Sequence, residues 1–195
     1  MGKGAATREA VIDEALRQAV ALGLEGISLG GLAESLKLSK SGLFAHFKSK
    51  EALQLAVLEE ASERFRRQVV EPGLTEPRGG PRLRALFDRW LDWIEGEPCM
   101  GGCIFAVASQ EYDDRPGPVR DRLVAVQNDW HELLARVATD LPRDGKAPVA
   151  FGRQVAFELV GLGLSFQLHG KLMNRRDARQ RAEEAFDRLL REAVG

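Results

Sequence analysis

Lysines gather in one short part of the chain. Residues 37–50 hold Lys37, Lys40, Lys48 and Lys50 and contain no Asp or Glu. The whole chain has only seven lysines, so more than half of them lie in this segment. Lysine ammonium groups and the free N–H groups at helix N termini both attract anions. Charge of a single sign next to short helices therefore predicts a phosphate-binding surface.

Three serines are spaced to begin the helices that would position these lysines. Ser28 can cap a helix that runs to about Leu36, and Ser39 can cap a second one that ends near Phe47. Ser49 can begin a third helix. Two short helices joined by a tight turn describe a helix-turn-helix, although an ordinary helix hairpin has similar spacing. The charge of a single sign favours the DNA-binding interpretation, because a solvated helix face normally mixes both signs.

Apolar residues recur at helical spacing along nearly all of the 195 residues. Leu83, Leu86, Phe87 and Trp90 form one such stripe. Glycines and prolines predict the breaks, with Gly23 and Gly26 ending the first helix and loops at 72–81, 113–118 and 141–148. No alternation typical of strands is present. We therefore expect an all-α protein with about nine helices.

Helix length and charge divide the chain into two parts. The helices before residue 50 are predicted to be short and the later ones long, which indicates a small N-terminal domain at 1–50 and a larger helical body at 51–195. The basic segment and the helix-turn-helix spacing make the small domain the expected DNA-binding one. The net charge of −1 argues at first against a nucleic-acid partner. However, residues 37–50 carry +4, whereas the other 181 residues hold 24 basic and 29 acidic side chains and carry −5. The total charge thus hides a basic segment on an acidic body.

Residues 7–53 resemble the DNA-binding domain of the TetR family of transcriptional regulators. The matching positions are Thr7, Arg8, Gly23, Gly26, Ser28, Leu36, Ser39, Leu43, Phe44, His46, Phe47, Lys50 and Leu53. The resemblance implies a homodimeric, all-helical DNA binder that responds to a ligand. It implies most specifically a repressor that a small molecule releases from a palindromic operator.

The resemblance also implies particular DNA contacts. It assigns phosphate contacts to Ser28 and Lys50, base edges to Lys40, Ser41 and Gly42, and either target to His46. Phe44 departs from the family, which usually has Tyr at this position with its hydroxyl bound to a phosphate. Phe44 is therefore either a van der Waals contact to a base or sugar, or part of the core.

The helical body is expected to bind the effector in a mostly apolar cavity. Candidate effector residues are the aromatic and polar side chains Trp90, Phe105, Gln110, Tyr112, Trp130, Phe166 and His169. Each aromatic residue is also explained as ordinary core. Glu158 lies within a very apolar stretch, so we expect it to meet an Arg, a water or a polar ligand group. Cys99 and Cys103 are compatible with a redox pair or with simple packing.

The last two helices, at Gln154–Leu172 and Ala178–Val194, are the expected dimer interface. The first of them is apolar almost all round, so it must be buried in a core or between subunits. No secretory signal or membrane span is expected, because the N-terminal stretch lacks an apolar segment and the longest apolar stretch, about 155–168, is too short. A cytoplasmic location follows.

No catalytic, metal or cofactor site is predicted. The three histidines lie in separate segments, two cysteines are too few for a metal site, and no glycine-rich phosphate loop occurs. The alternatives are a helical small-molecule-binding protein or enzyme with an incidental basic patch, and an activator or nucleoid-type DNA binder without an effector.

Overall fold

The computed structural model describes residues 3–96, 102–141 and 147–194. All regular structure in these ranges is helical, which confirms the all-α prediction. The α-helices are α1 Lys3–Leu22, α2 Leu29–Ser35, α3 Lys40–His46, α4 Lys50–Phe65, α5 Glu71–Leu74, α6 Gly80–Glu95, α7 Ile104–Tyr112, α8 Pro118–Ala138, α9 Val149–Gln167 and α10 Ala178–Val194. A π-helical turn at Arg66–Val70 joins α4 to α5, and another at Leu168–Leu172 extends α9. The described helices therefore form nine continuous segments, as expected.

The loop predicted to begin at Pro72 begins later. The helix instead runs on through α5 to Leu74. Pro72 follows closely on the π-helical turn Arg66–Val70, where the regular hydrogen-bond pattern of the α-helix is already interrupted. Gly73 packs directly on α6, since a Cβ at this position would lie 2.5 Å from Cδ2 of Leu86. The glycine thus serves close helix packing rather than a turn.

Two compact units divide the chain by contact. The first contains residues 1–64 and 97–125, and the second contains residues 65–96 and 126–195. The core of the first unit includes Leu16, Leu24, Leu32, Leu43 and Leu53, all without exposed surface. These leucines come from α1, α2, α3, α4 and the turn after α1, so one small core fixes the three N-terminal helices against α4. The predicted functional boundary at residue 50 stays a prediction.

In the second unit, α10 is fastened to α6 by both apolar and charged contacts. The rings of Phe87 and Phe186 stack with centroids 4.7 Å apart. The guanidinium of Arg179 donates to Asp92 and to Glu95 over 2.7 Å each. These contacts bury one face of α10 and hold it along α6.

Helix α9 leaves much of its apolar surface uncovered. The helical segment Val149–Leu172 is long and apolar enough to cross a membrane by length and composition, yet only 33% of its most apolar window is buried. The sequence argument from a short apolar stretch therefore does not exclude a span by length. By length and composition alone, the core helix of a soluble protein passes the same test.

Candidate functional site

The three predicted serine caps are present at the N-terminal helices. The Oγ atom of Ser28 accepts a hydrogen bond from the N–H of Gly31 over 3.0 Å. Ser39 caps α3 in the same way, because its Oγ accepts from the N–H of Gly42 over 3.1 Å. Ser49 accepts from the N–H of Ala52 at the start of α4. Each serine satisfies one backbone donor that the helix itself cannot pair.

The connection between α2 and α3 is as tight as a helix-turn-helix requires. Lys37 adopts the left-handed conformation with φ of 53°, which ends α2 within one residue of its C-cap. The N–H of Leu38 then bonds the carbonyl of Ala33 over 2.8 Å. The buried leucines Leu32 and Leu43 face inward from α2 and α3. The predicted helix-turn-helix geometry is therefore present.

Helix α3 presents the predicted base-reading residues to solvent. Lys40, Ser41 and Gly42 are exposed in its first turn. Phe44 is 52% exposed, so it is not a core residue of this chain. His46 is half-buried at the end of the helix, and Ser28 is exposed at the start of α2. Their contacts with DNA stay predictions.

Lys50 is held by a neighbouring acid. Its ammonium donates to the backbone carbonyl of Glu25 over 2.5 Å and to Oε2 of the same residue over 3.0 Å. The side chain keeps 41% of its surface exposed, so it remains open to an anion. The predicted phosphate contact by Lys50 would therefore share this ammonium with Glu25.

Glu25 is the centre of a polar cluster, here called the Glu25 junction, formed by Glu25, Lys50, Gln54, Glu111 and Tyr112. The hydroxyl of Tyr112 donates to Oε1 of Glu25 over 2.5 Å. The amide of Gln54 donates to the same oxygen and to the carbonyl of Leu24, each over 3.0 Å. The hydrogen bonds from Tyr112, Gln54 and Lys50 lower the pKa of Glu25 to about 2. The carboxylate is therefore ionised at neutral pH.

Glu111 binds the backbone of the same turn. Its Oε2 accepts from the N–H of Leu24 over 2.7 Å and from the N–H of Glu25 over 3.2 Å. Gly23 makes this approach possible, because it has φ of 84° and a Cβ there would lie 1.7 Å from Oε1 of Glu111. Two adjacent residues of α7, Glu111 and Tyr112, thus hold the turn between α1 and α2.

The predicted effector residues divide between the two compact units. Phe105, Gln110 and Tyr112 lie on α7 in the first unit, whereas Trp90, Trp130, Phe166 and His169 lie in the second. Trp90 and Trp130 are in contact, with ring centroids 5.6 Å apart. Phe105 and Phe166 are buried and Gln110 is exposed. The hydroxyl of Tyr112 already binds Glu25, and effector binding by any of these residues stays a prediction.

Other polar side chains of the body meet partners within the chain. Glu158 accepts a hydrogen bond from the amide of Gln154 over 2.7 Å, a partner that the sequence analysis did not expect. The Nδ1 of His169 lies 2.8 Å from the carbonyl of Ser165.

Cys103 is buried before α7, and Cys99 lies outside the described residues. Both interpretations of the cysteine pair therefore stay open. Within the described ranges, no group of three or more His, Cys, Asp or Glu side chains could hold a metal.

Sequence reasoning did not predict the Glu25 junction. Glu25 lies between two glycines in a turn, and Gln54 and Glu111 lie on helices without any recognisable motif. One sequence signal was available, because Gln54 interrupts an otherwise apolar face of α4. It is the only polar side chain that is fully buried among the described residues.

Comparison with known families identifies both parts of the chain. Residues 11–57 match the model of bacterial regulatory proteins of the tetR family, and residues 79–186 match that of a tetracyclin repressor-like C-terminal domain. No curated protein matches the chain.

Solved structures share the fold over nearly the full length. A TetR-family transcriptional regulator from Streptomyces coelicolor is 23% identical, with a TM-score of 0.83 and 96% of each chain covered. A TetR regulator from Chloroflexus aurantiacus is 24% identical, with a TM-score of 0.81, 97% of this chain covered and 95% of that one. AibR, solved with isovaleryl coenzyme A and operator DNA, is 21% identical, with a TM-score of 0.74 and coverage of 91% and 94%. The C-terminal model alone spans more than half of the chain. The chain belongs to the TetR family of bacterial transcriptional regulators.

Proposed function

We propose that the chain is a homodimeric repressor that binds a palindromic operator and leaves it when a small molecule enters the helical body. The observation that carries this proposal is the exposed surface at the start of α3. Lys40 and Ser41 lie there on a capped helix, in a segment with four lysines and no acid. Such a surface suits base edges and phosphates, because lysines and free N–H groups both donate hydrogen bonds to anionic or acceptor atoms. The protein would act in the cytoplasm, where the operator is.

An uncovered stripe on α9 supports the dimer. Phe157, Leu164, Leu168 and Leu172 recur at helical spacing on one face, and Phe157 and Leu172 are 71% and 78% exposed. Gly161 lies on the same face with no atom within 4 Å of a Cβ placed there. An exposed apolar surface of this extent is typical of a protein interface. We assign it to a second copy of this chain, because pairing α9 and α10 with their symmetry mates would cover it.

The Glu25 junction supports a route from effector to DNA. It fixes the turn between α1 and α2, which immediately precedes the Ser28 cap of the helix-turn-helix. A ligand that moves α7 would therefore disturb this turn and the placement of α3. Effector and operator then favour different conformations, so each weakens binding of the other. AibR was solved with both isovaleryl coenzyme A and operator DNA, which is in line with such a pair of partners.

The DNA contacts are proposed on exposure and charge. Lys40, Ser41 and Gly42 would lie against base edges, while Ser28 and Lys50 would contact phosphates. The half-buried His46 would contact either a phosphate or a base. Phe44 would lie against a sugar or a thymine methyl, because its exposed ring carries no hydrogen-bonding group.

An electrophoretic shift assay tests the proposal directly. The full chain is titrated onto DNA from upstream of its own gene, against a scrambled fragment of equal length and composition. We expect a specific shift that weakens steeply with salt, because lysine–phosphate contacts release counterions. Equal binding to both fragments would instead favour a nucleoid-type binder. No shift at low salt would favour a helical ligand-binding protein whose basic patch is incidental.

A further inference from the structure

Four aromatic rings form one cluster in the unit of residues 65–96 and 126–195, here called the tryptophan cluster: Phe65, Trp90, Trp93 and Trp130. Phe65 meets Trp93 and Trp130 edge to face, with ring centroids 5.4 Å and 5.0 Å apart. Trp130 in turn meets Trp90 at 5.6 Å. The rings come from the end of α4, from α6 and from α8. The three helices thus converge on an aromatic site.

Helix α9 fixes the position of one ring. A Cβ at Gly163 would lie 2.1 Å from the six-membered ring of Trp90, so only a glycine lets this indole lie against the helix. Close approach to Gly163 and edge-to-face contact with Trp130 together restrict the orientation of Trp90. The cluster is therefore preorganised, which reduces the entropy lost when a ligand binds.

Two indole N–H groups of the cluster lack an acceptor. Trp93 and Trp130 are 3% and 7% exposed, and in the described part of the chain neither Nε1 has a hydrogen-bond partner. An indole N–H can only donate, and leaving such a donor buried and unpaired costs about 1–3 kcal/mol. Trp90 belongs to the same cluster, but its Nε1 is not one of these unpaired atoms. Two unpaired donors in one aromatic site offer a place for an acceptor from outside the chain, either a water or a polar ligand group.

The fully buried residues of this unit are apolar in the described ranges, although one carboxylate oxygen, Oδ1 of Asp88, is itself buried. Among the described residues of this unit, no charged side chain is fully buried. An ionised ligand group would enter such a site without a counter-charge, at a high desolvation cost. A neutral ligand with oxygen acceptors avoids this cost. One carbonyl oxygen has two lone pairs, so a single ketone can accept from both donors and a dione can accept from each separately.

We propose that the tryptophan cluster recognises the effector, and that the effector is a neutral, flat aromatic molecule whose carbonyl oxygen accepts hydrogen bonds from Trp93 and Trp130. This inference rests on the proposed function, because it names the chemical class of the ligand that the repressor would sense. The rings supply apolar and edge-to-face contacts, and the two N–H groups orient the carbonyl.

Three matched probes separate the parts of this proposal. Fluorenone carries one carbonyl on a flat aromatic frame, fluorene has the same frame without the carbonyl, and fluorenone carboxylate adds a charge. Affinities are measured by tryptophan fluorescence on the full chain without DNA. We expect fluorenone to bind about tenfold or more tightly than fluorene, because fluorene leaves both donors unpaired. The carboxylate is expected to bind more weakly than fluorenone.

Single variants assign the discrimination to the two donors. Trp93→Phe and Trp130→Phe should reduce the ratio of fluorene to fluorenone dissociation constants by several-fold each. Phe87→Leu is the matched control, because it removes an aromatic ring of the same unit that stacks on Phe186 outside the tryptophan cluster, and it should leave this ratio unchanged. Loss of packing alone would weaken both probes equally and would not move the ratio. Circular dichroism melting confirms that each variant is folded.

The indole signals in proton–nitrogen NMR spectra give an independent measurement. The N–H signals of Trp93 and Trp130 should move downfield when fluorenone is added, while that of Trp90 moves less. Equal affinity for fluorenone and fluorene, binding of neither probe, or hydrogen-bonded signals already present in the ligand-free protein would each overturn the inference. The operator shift assay is separate, so loss of DNA binding would contradict the proposed function without touching this result.

Discussion

The hydroxyl of Tyr112 at the end of α7 donates to Oε1 of Glu25 over 2.5 Å. Tyr112 is the only tyrosine in the chain, and Glu25 lies in the turn that precedes the helix-turn-helix. Burial and the hydrogen bond to Glu25 both raise the pKa of Tyr112, so the phenol stays protonated as the donor. The contact links residues 87 positions apart, which makes it a tertiary constraint on the DNA-binding helices.

Tyr112→Phe should lower the free energy of unfolding by about 1–2 kcal/mol at neutral pH, because a hydrogen bond to a charged acceptor is lost. The effect should depend on pH. Glu25 has a pKa of about 2 when folded and 4.5 as its ordinary value, so its stabilisation is complete above about pH 4.5 and is lost as the pH falls towards 2. Urea unfolding of both proteins at several pH values measures the difference.

A double-mutant cycle with Glu25→Gln provides the control for this prediction. If the two side chains act as a pair, Tyr112→Phe should cost less in the Glu25→Gln background. If Tyr112→Phe lowers the free energy of unfolding equally in both backgrounds, or by the same amount in acid as at neutral pH, the hydroxyl stabilises the fold in another way.

Removal of a lysine should weaken DNA binding in two distinguishable ways. Lys50→Ala should reduce affinity for all sequences and lower the salt slope by about 0.9, because one phosphate contact is lost. Lys40→Ala should in addition change the preferred sequence, because Lys40 is exposed in the first turn of α3. Fluorescence anisotropy on operator and non-operator fragments, each at several salt concentrations, measures both quantities.

Arg78→Ala is the matched control for charge removal, since Arg78 is exposed in the loop between α5 and α6. It should leave the slope and the sequence preference unchanged. A similar loss of affinity in the Arg78 and Lys50 variants would mean that Lys50 acts only through the net charge of the protein and makes no specific phosphate contact.

Phe44→Tyr should tighten DNA binding without changing stability. The ring is 52% exposed, so an added hydroxyl meets solvent in the free protein. The family resemblance places a phosphate near this position, and a new hydrogen bond to it would contribute about 1 kcal/mol, or roughly fivefold in affinity. Anisotropy with the operator fragment measures the change. An unchanged or reduced affinity would place the ring away from the backbone.

Charge introduced into the α9 stripe should separate the subunits. Phe157→Glu and Leu168→Glu should each halve the mass measured by light scattering, from about twice 21.5 kDa to 21.5 kDa. Arg78→Glu reverses a charge on an exposed side chain outside the last two helices, and it should keep the larger mass. A wild-type mass of one chain would contradict the dimer.

Local signals made the N-terminal helices predictable from sequence. Each serine cap pairs with a backbone N–H only three residues away. The positions of Ser28, Ser39 and Ser49 therefore predict where the helices begin. The single-sign charge near Lys40 is likewise visible in a short window. These features depend on neighbours in sequence, which is why the structure reproduces them.

Long-range contacts could not be predicted in the same way. Glu111 reaches a backbone N–H 87 positions earlier, and no periodicity indicates which helix end will meet which turn. The prediction of a loop beginning at Pro72 was wrong for a related reason. Packing of Gly73 on Leu86 is a tertiary contact, and it outweighs the local preference for a turn. The contact between Trp90 and Trp130 could not be predicted from the sequence either, although both were candidate effector residues.

Hydroxyl-radical footprinting of the full chain on DNA upstream of its own gene tests the central claim most directly. A homodimer with one α3 in each major groove should protect two half-sites of related, inverted sequence, centred about one helical turn or a small multiple of it apart. Lys40→Ala should erase both protected regions together. A single protected site, or protection spread evenly along the fragment, would contradict a dimeric operator-binding regulator.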